Sequence, residues 1–380
     1  MTAANEARRP SLIARAVQLS VVPLTAVLSA LVVGAVIILV SSLARGQFDP
    51  LLPLSAYGAL FRGAFGSLNG ILFSIVSATP LILGGMAVGL GFKAGLFNIG
   101  AQGQFLMGAL GSASIGAYLA GAPGPVAITI AILAGALFGA AWGFIPGALK
   151  AWTGAHEVVT TIMLNFIAGA LIGYLITGPL EAPGFSFSRT GPLGNAEAPT
   201  FFGTGIHLGV LVAFALVPAV WWLLWRSTLG FEIRTVGANP DAARYAGMRP
   251  AAITILTMSL CGLLAGLAGA GQILGISHFM NASYGTSIGF DSIAVALLGR
   301  AHPVGIMLAA LLFGALRAGS GLMQIQAGIP VEIIDVIQAT ILLFLAARLI
   351  TLRLPWRRAA EVEELPEELQ TVSRTYGSGA

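Results

Sequence analysis

Residues 207–275 decide the fold, because two apolar stretches enclose a polar one. They read HLGVLVAFALVPAVWWLLW (207–225), RSTLGFEIRTVGANPDAARYAGMRP (226–250) and AAITILTMSLCGLLAGLAGAGQILG (251–275). An α-helix needs about 20 predominantly apolar residues to cross the hydrocarbon core of a bilayer. Each apolar stretch therefore predicts a membrane-spanning helix, and the polar stretch predicts a loop on one side of the membrane.

The polar stretch, called the polar island (226–250) from here on, carries the signals of a short, separately capped helix. Asn239 is a good N-cap, Pro240 suits the first helical position, and Asp241 suits the positive end of the helix dipole. Gly247 is placed to end the helix. An ordinary connection needs no such organisation, so the pattern favours a docking element, with a passive loop as the alternative.

The composition indicates an integral membrane protein. Of 380 residues, 57% are hydrophobic and only 9% are charged, and the mean hydropathy is +0.90. A soluble domain carries about 25% charged residues. The single cysteine, Cys261, excludes a disulfide framework and a cysteine metal site, so we expect no metal. The arginines lie beside apolar stretches without interleaved aromatics, so no nucleic-acid partner is expected.

The apolar stretches predict an all-α integral membrane protein of about ten membrane segments. A further stretch, about 287–319, is interrupted by Gly299-Arg300-Ala301-His302-Pro303, and each side looks too short for a comfortable span. Two short crossings or a re-entrant hairpin both return the chain to the side it left. The uninterrupted candidates are about 20–43, 69–91, 95–119, 126–149, 158–178, 207–225, 251–275 and 331–350.

The basic residues orient these segments, because cytoplasmic loops carry an excess of Lys and Arg. Placing both termini in the cytoplasm leaves only Arg45, Arg62, Arg189 and Arg317 of the 19 basic residues on the outer side. This arrangement predicts a cytoplasmic N-terminal tail (1–19), a transmembrane domain (20–352) and a cytoplasmic acidic C-terminal tail (353–380). The polar island is then cytoplasmic, and the loop 179–206 is the longest outer connection.

Several polar side chains lie within or near the membrane, where each must find hydrogen-bond partners. Asn98, Gln102 and Gln104 form one group, and at helical spacing Asn98 and Gln102 share a face. Their amides could bind a neutral polar solute or join neighbouring helices, and the sequence favours neither. Asn165 is a further candidate for a solute path. By contrast, the spacing of Gly135, Gly139, Gly143 and Gly147 favours close helix packing over lining a path.

Phe290 and Asp291 begin the interrupted stretch. A carboxylate near a helix N-terminus is favoured by the dipole, so capping is the first interpretation of Asp291. Transporters use broken helices of this kind at their sites, which keeps contact with a solute open for both residues. Phe290 could stack on a planar ring, although an aromatic side chain in a membrane protein usually serves packing.

Four ordered motifs resemble a known family: GLFNIGAQGQ (95–104), HEVVTTIMLN (156–165), GANPDAARYAGM (237–248) and GFDSIAVALLG (289–299). They are similar to the permease subunits of bacterial ATP-binding cassette (ABC) importers in the ribose and branched-chain amino acid superfamily. The likeness covers roughly residues 20–352. It is greatest to the simple-sugar and nucleoside branch, particularly the longer permease of purine-nucleoside importers.

The resemblance implies a permease subunit in the bacterial inner (plasma) membrane, working with a second, shorter permease and two copies of a cytoplasmic ATPase. It also implies a lipid-anchored substrate-binding protein outside. This branch often has an acidic residue where Gln102 stands, and the neutral amide excludes a proton-linked role there. ATP and Mg²⁺ would bind the partner, since the chain has no GxxxxGK[ST] phosphate loop and needs no cofactor of its own.

The polar and aromatic residues described above are the candidates for the substrate path: Asn98, Gln102, Gln104, Asn165, Phe290 and Asp291. The resemblance assigns a second role. The polar island becomes the coupling helix, with Glu232, Arg234, Asn239, Pro240, Asp241, Ala243, Arg244, Tyr245, Gly247 and Met248 at the ATPase contact.

The alternative function is an ion-coupled secondary transporter of a small polar solute. Such a protein would carry ionisable residues deep in several spans, whereas most charges here lie at span ends. An intramembrane enzyme is the weakest interpretation, because no paired carboxylates, histidine cluster or nucleophile motif lies at membrane depth.

Overall fold

The computed structural model describes residues 12–44, 46, 48–201, 205–284 and 286–351. Regular structure in these residues is helical, apart from two isolated β-bridges. A 3-10 turn (Gly194–Ala196) and a π-helical turn (Ile273–Ser277) complete it. The helices are α1 (Leu12–Ala44), α2 (Leu52–Phe65), α3 (Leu68–Lys93), α4 (Ala101–Tyr118), α5 (Gly124–Thr153), α6 (Glu157–Ile176), α7 (Leu208–Arg226), α8 (Thr228–Ala238), α9 (Pro240–Tyr245), α10 (Pro250–Gln272), α11 (Ile288–Leu298), α12 (Pro303–Ala327) and α13 (Ile333–Thr351).

Every predicted membrane segment coincides with a helix. In the described part of the chain, 7 helices are long and apolar enough to cross a membrane. Helices α11 and α13 are shorter apolar helices among the described residues, and α4 is a buried helix with a polar first turn. The all-helical membrane architecture is therefore confirmed, while the number of crossings stays a prediction.

Helices α3, α4 and α10 form the centre of the bundle. Nearly every residue of α3 from Ser74 to Gly91 is buried, as is most of α4. α10 packs on α5, α4 and α3, and α12 packs on α3 and α2. Apart from the polar first turn of α4, these central helices are apolar around most of their circumference, which is the pattern of a helix surrounded by other helices.

The interrupted stretch is a short helix followed by a full one. α11 ends at Leu298, and α12 has 25 residues, so the prediction that both sides are too short was wrong for the second side. The apolar helix continues beyond residue 319 to Ala327, through Gln324 and Gln326 near its end. The break itself lies where it was predicted, and Arg300 and Ala301 adopt positive φ angles of 55° and 51° there.

Helix α2 was not predicted. Its 14 residues are too few to cross a bilayer as a helix, and a search for apolar stretches of spanning length passes over it. It packs between α1 and α12: the Tyr57 hydroxyl donates to the Leu31 carbonyl at 2.6 Å, and a Cβ added at Gly63 would lie 2.9 Å from Gly319 Cα. This backbone approach holds the start of the bundle against α12.

The predicted glycine ridge lies where α5 meets α10. A Cβ added at Gly139 would lie 2.3 Å from the Gly262 carbonyl oxygen, and one at Gly143 would lie 2.3 Å from the Met258 oxygen. Small residues allow such close approach of helices in membranes. Gly135 and Gly147 continue the contact toward Ala270 and Ile255.

The predicted outer loop is ordered over its described residues. Thr190 and Met280 bond backbone to backbone at 2.9 Å, and Ala198 N donates to the Leu274 carbonyl at 2.8 Å. Leu193 and Ala196 are fully buried. The loop therefore closes over the ends of α4 and α10. The predicted C-terminal tail (353–380) lies outside the described residues. Of the predicted N-terminal tail (1–19), only residues 12–19 are described, and they belong to α1.

Candidate coupling site and polar core

The polar island folds into two helices rather than the single helix predicted. Ser227 Oγ caps α8 by accepting from the Gly230 amide at 3.0 Å. Asn239 Oδ1 caps α9 as predicted, accepting from the amides of Asp241 and Ala242 at 3.0 Å each. Gly247 has a φ of 83°, and its amide bonds the Arg244 carbonyl, which ends the helix. α8 escaped prediction because its glycines and threonines weaken its helix propensity.

One side of α9 is anchored and the other is open. Ala243 is fully buried, whereas Tyr245 is 95% exposed. Asp241 and Arg244 form an exposed ion pair at 3.0 Å, a kind of contact that contributes little to stability. On α8, Phe231 is also exposed. Each of the two helices thus exposes an aromatic side chain, and α9 has charged residues beside its own, a composition common at protein contacts.

The other predicted coupling residues divide between this surface and the bundle. Asn239, Pro240 and Gly247 are exposed, while Glu232, Arg234 and Met248 are half-buried. Arg234 Nε donates to the Gly230 carbonyl at 3.3 Å, and Met248 packs against the hydrophobic core.

Helix α8 rests directly on the connection between α3 and α4. A Cβ added at Gly237 would lie 2.3 Å from the Lys93 carbonyl oxygen, and one at Gly95 would lie 2.9 Å from the Gly237 oxygen. Gly95 itself has a φ of 70°, which favours glycine. The contact is therefore made by backbone on both sides. It joins the polar island to the connection that carries Asn98.

Asn98 and Gln104 bond to each other through both amide groups. Asn98 Nδ2 donates to Gln104 Oε1 at 2.9 Å, and Gln104 Nε2 donates to Asn98 Oδ1 at 3.3 Å. The prediction that Asn98 shares a helix face with Gln102 was wrong, because α4 begins only at Ala101, after Gly100 as N-cap. Asn98 belongs to the non-helical connection that α8 touches.

Gln102 and Asn165 tie α4 to two other helices. Gln102 Nε2 donates to the Thr286 carbonyl at 2.6 Å, and Gln102 Oε1 accepts from the Gly289 amide of α11 at 2.8 Å. Asn165 of α6 accepts from the Gly103 amide at 2.8 Å and donates to the Ile99 carbonyl at 3.0 Å. All four predicted amides are buried and bonded within the chain, which favours helix joining over solute binding in this conformation.

Phe290 and Asp291 differ from the amides in exposure and partners. Phe290 is 47% exposed, on the same turn as the bonded Gly289. Asp291 Oδ2 accepts from Ser287 Oγ at 2.8 Å and pairs with Arg317 of α12. Asp291 thus lies in the first turn of α11 as predicted, but its principal partner is a basic residue that the sequence did not connect to it.

A cluster at the end of α7 was missed by sequence reasoning. The Trp225 ring lies 5.0 Å from the His302 ring, and Lys93 Nζ lies 5.8 Å from the Trp225 ring centroid. At the same end, Lys150 Nζ bonds Glu157 Oε2 at 2.6 Å across the α5–α6 connection. Lys93, Trp225 and His302 come from three distant stretches of the chain. Only their shared position at span ends could have suggested the cluster from the sequence. Among the described residues, no group of three His, Cys, Asp or Glu side chains could hold a metal ion.

A bundle of apolar helices, with a capped helix pair seated on the connection between α3 and α4, defines a multi-pass membrane protein. The comparison with known families agrees: residues 70–346 match the family described as branched-chain amino acid transport system / permease component. The chain belongs to this permease family, and it is a transport component rather than an enzyme.

Curated relatives cover most of the chain. It is 38% identical to the guanosine ABC transporter permease protein NupP of Bacillus subtilis, over 86% of this chain and 92% of NupP. It is 36% identical to the glucose ABC transporter permease protein TsgB13 of Haloferax volcanii, over 85% of this chain and 86% of that protein. It is also 36% identical to the nucleoside ABC transporter permease protein NupB of Lactococcus lactis, over 90% and 95%. No solved structure matches the chain.

Proposed function

We propose that this chain is a permease subunit of an ATP-binding cassette importer that takes nucleosides across the bacterial plasma membrane. Two of the similar proteins are named as guanosine or nucleoside permeases, and each is covered along most of its length. The chain would occupy the membrane in about ten segments with both termini in the cytoplasm. Lys93 and Arg300, both predicted to lie on the inner side, line one pocket together with His302, which supports placing them at one end of the bundle.

The observation that carries this proposal is the seat of the polar island on the α3–α4 connection. The exposed side of α9 would dock in a groove of a cytoplasmic ATPase, which would hold ATP and Mg²⁺. Because Gly237 meets Lys93 and Gly95 through backbone, movement of α8 would reach Asn98 without deforming a side chain. Asn98 is bonded to Gln104, so the movement would continue into α4.

The solute path is proposed along the face that α6 and α11 present beside α4. Met163 and Phe166 are 51% and 71% exposed, and Phe97 and Phe290 are 40% and 47% exposed. This face is apolar and aromatic, which suits a second permease subunit packed opposite and a planar base passing between. Asn98, Gln102, Gln104 and Asn165 lie behind it, and they would line the path when their present hydrogen bonds are exchanged.

Two further partners complete the proposal. A second, shorter permease would make a heterodimer, and a lipid-anchored binding protein would deliver the solute at the outer ends of the helices. The described outer loop, ordered by its bonds to residues 274–282, offers a firm surface for that delivery. Membrane lipid surrounds the remaining apolar surface.

Uptake by the reconstituted importer tests the substrate. The chain is co-purified with the proposed second permease, ATPase and binding lipoprotein from the same organism, and proteoliposomes are supplied with labelled guanosine, adenosine, glucose or leucine. ATP-dependent guanosine and adenosine uptake is expected. Glucose uptake alone would favour the second candidate, a sugar importer, which the 36% identity to TsgB13 supports. Uptake driven by an ion gradient without ATPase would instead establish a secondary transporter.

Variants of the polar island test the coupling role. Arg244→Glu and Ala243→Trp are expected to reduce ATP-dependent uptake at least about tenfold, because they alter the exposed charge and the buried anchor of α9. The chain should still fold and insert, as gel filtration would show. Thr129→Trp, at an exposed position in the first turns of α5, is the control for added bulk. Normal uptake in both island variants would make the island a passive loop.

A further inference from the structure

A large pocket lies where α1 passes the break between α11 and α12. Its volume is about 730 Å³, well above that of the other cavities near the ends of the bundle. The predicted coupling and path residues do not line it. Its lining residues are Pro23, Leu24, Val27, Lys93, Leu298, Gly299, Arg300, His302, Gly305, Leu308, Ala309 and Leu312.

The polar side chains of this pocket come from residue types that bind anions. They are Lys93, Arg300 and His302, and no carboxylate of the described chain lines the pocket. Burial and the neighbouring Lys93 charge lower the pKa of His302, which favours the neutral ring, a hydrogen-bond donor. Among the described residues, no Asp or Glu oxygen lies within 4.0 Å of Lys93 Nζ, which faces the Trp225 ring instead.

The backbone at the break also contributes to this site. Arg300 and Ala301 both adopt left-handed φ angles, a conformation that non-glycine residues adopt only at a cost. α12 then begins beside the pocket with His302 as N-cap, without a side-chain cap bond and without an acidic residue in its first turn. The positive end of a 25-residue helix is thus left for an anion to complement.

The remainder of the pocket wall is apolar and exposed. Leu24 of α1 and Leu308 of α12 are 59% and 60% exposed, and Leu298 and Leu312 extend the apolar surface. A soluble anion would leave this wall in contact with lipid or water. A ligand with a charged end and a hydrocarbon chain would cover both parts of the pocket.

We propose that this pocket binds one anionic phospholipid. Its phosphate would be held by Lys93, Arg300 and His302, and an acyl chain would lie along Leu24 and Leu308. Basic pockets between membrane helices on the cytoplasmic side recognise anionic headgroups in this way, with each Lys or Arg contributing about 1 kcal/mol. The bound lipid would hold the end of α1 against the break, beside the Lys93 backbone on which α8 rests.

Native mass spectrometry of the purified full-length chain tests the site. Delipidated protein is titrated with phosphatidylglycerol or with phosphatidylcholine of the same chains. Tight retention of one phosphatidylglycerol is expected, with phosphatidylcholine bound at least about tenfold more weakly. Lys93→Gln and Arg300→Gln should each weaken phosphatidylglycerol binding about fivefold. Arg249→Gln, which removes an exposed basic residue at the same end but outside the pocket, should change nothing.

A second variant keeps the proposal testable if the charge variants fold poorly. Leu308→Trp fills the apolar wall at an exposed position and leaves every charge in place, and it should also weaken phosphatidylglycerol binding. Glycerol phosphate should not compete at millimolar concentration. Equal retention of both lipids, equal retention by the pocket variants and the Arg249 control, or competition by glycerol phosphate would each overturn the proposal. Since the measurement needs no transport, its outcome is independent of the proposed function.

Discussion

At the scale of single residues, Asn239 shows how one side chain can define a helix of only six residues. Its Oδ1 atom accepts two of the amides that a helix start leaves without partners. So short a helix has little intrinsic stability, because most of its amides lie in an unsatisfied first turn. The cap and the buried Ala243 therefore supply most of what holds α9 in place.

Replacing this cap gives a local prediction. Asn239→Ala should destabilise α9 by about 1 kcal/mol, and hydrogen exchange at residues 241–246 should accelerate accordingly. Asn239→Asp keeps an accepting oxygen and should exchange like the parent protein. If the two variants exchange at the same rate, the side-chain oxygen is not what holds the helix.

The ion pair between Asp291 and Arg317 gives a second residue-scale prediction. Their side chains are only 16% and 29% exposed, so removing one partner leaves a poorly solvated charge. Arg317→Gln alone should lower the melting temperature clearly, at a cost of up to about 3–5 kcal/mol for a fully buried pair. The double variant Asp291→Asn with Arg317→Gln should recover much of that loss. A double variant as unstable as the single one would show that neutralisation does not rescue the site.

At the scale of elements, glycine decides which helices can touch. α5 and α10 approach so closely that backbone meets backbone at Gly139 and Gly262. The same is true of Gly108, where an added Cβ would lie 2.3 Å from Gly266 Cα. Three helices therefore meet around two glycines of α10, and this junction fixes the middle of the bundle.

Replacing glycine with alanine at this junction, and at an exposed glycine elsewhere, tests whether the junction is closely packed. Gly139→Ala should destabilise the protein by about 1–3 kcal/mol, because the helices must separate. Gly169→Ala is the matched control on α6, where an added Cβ meets nothing within 4 Å. Its thermal stability should be unchanged or slightly higher, given the better helix propensity of alanine. Equal melting temperatures for the two variants would contradict close packing at Gly139.

The elements also show how far the sequence could be interpreted. Apolar length predicted every long helix except the full extent of α12, and capping chemistry predicted Asn239 and Gly247, since both signals are local. Helix α2 and helix α8 fall below the length or propensity at which a local signal is visible. The partners of Gln102 and Asp291 could not be predicted, because residues 286 and 317 reach them only through the packing of α11 and α12.

At the scale of the whole molecule, the two ends of the bundle differ in what they contact. One end gathers Lys93, Trp225, Arg300 and His302 beside the polar island. The other is closed by the loop 179–206, predicted to be outer, whose Leu193 and Ala196 are buried. The structure thus separates a basic end with an exposed helix pair from an end covered by its own chain.

The meeting of Gly237 with the turn at Gly95 has a consequence for divergence within the family. A contact formed by peptide groups does not depend on which side chains are exposed on α9. In the proposed coupling role, positions such as Tyr245 and Arg244 would be free to change to match a different ATPase while the backbone contact keeps its shape. Exchanging residues 240–246 between relatives should then change which ATPase co-purifies with the chain and leave the contact between Gly237 and Gly95 unaltered.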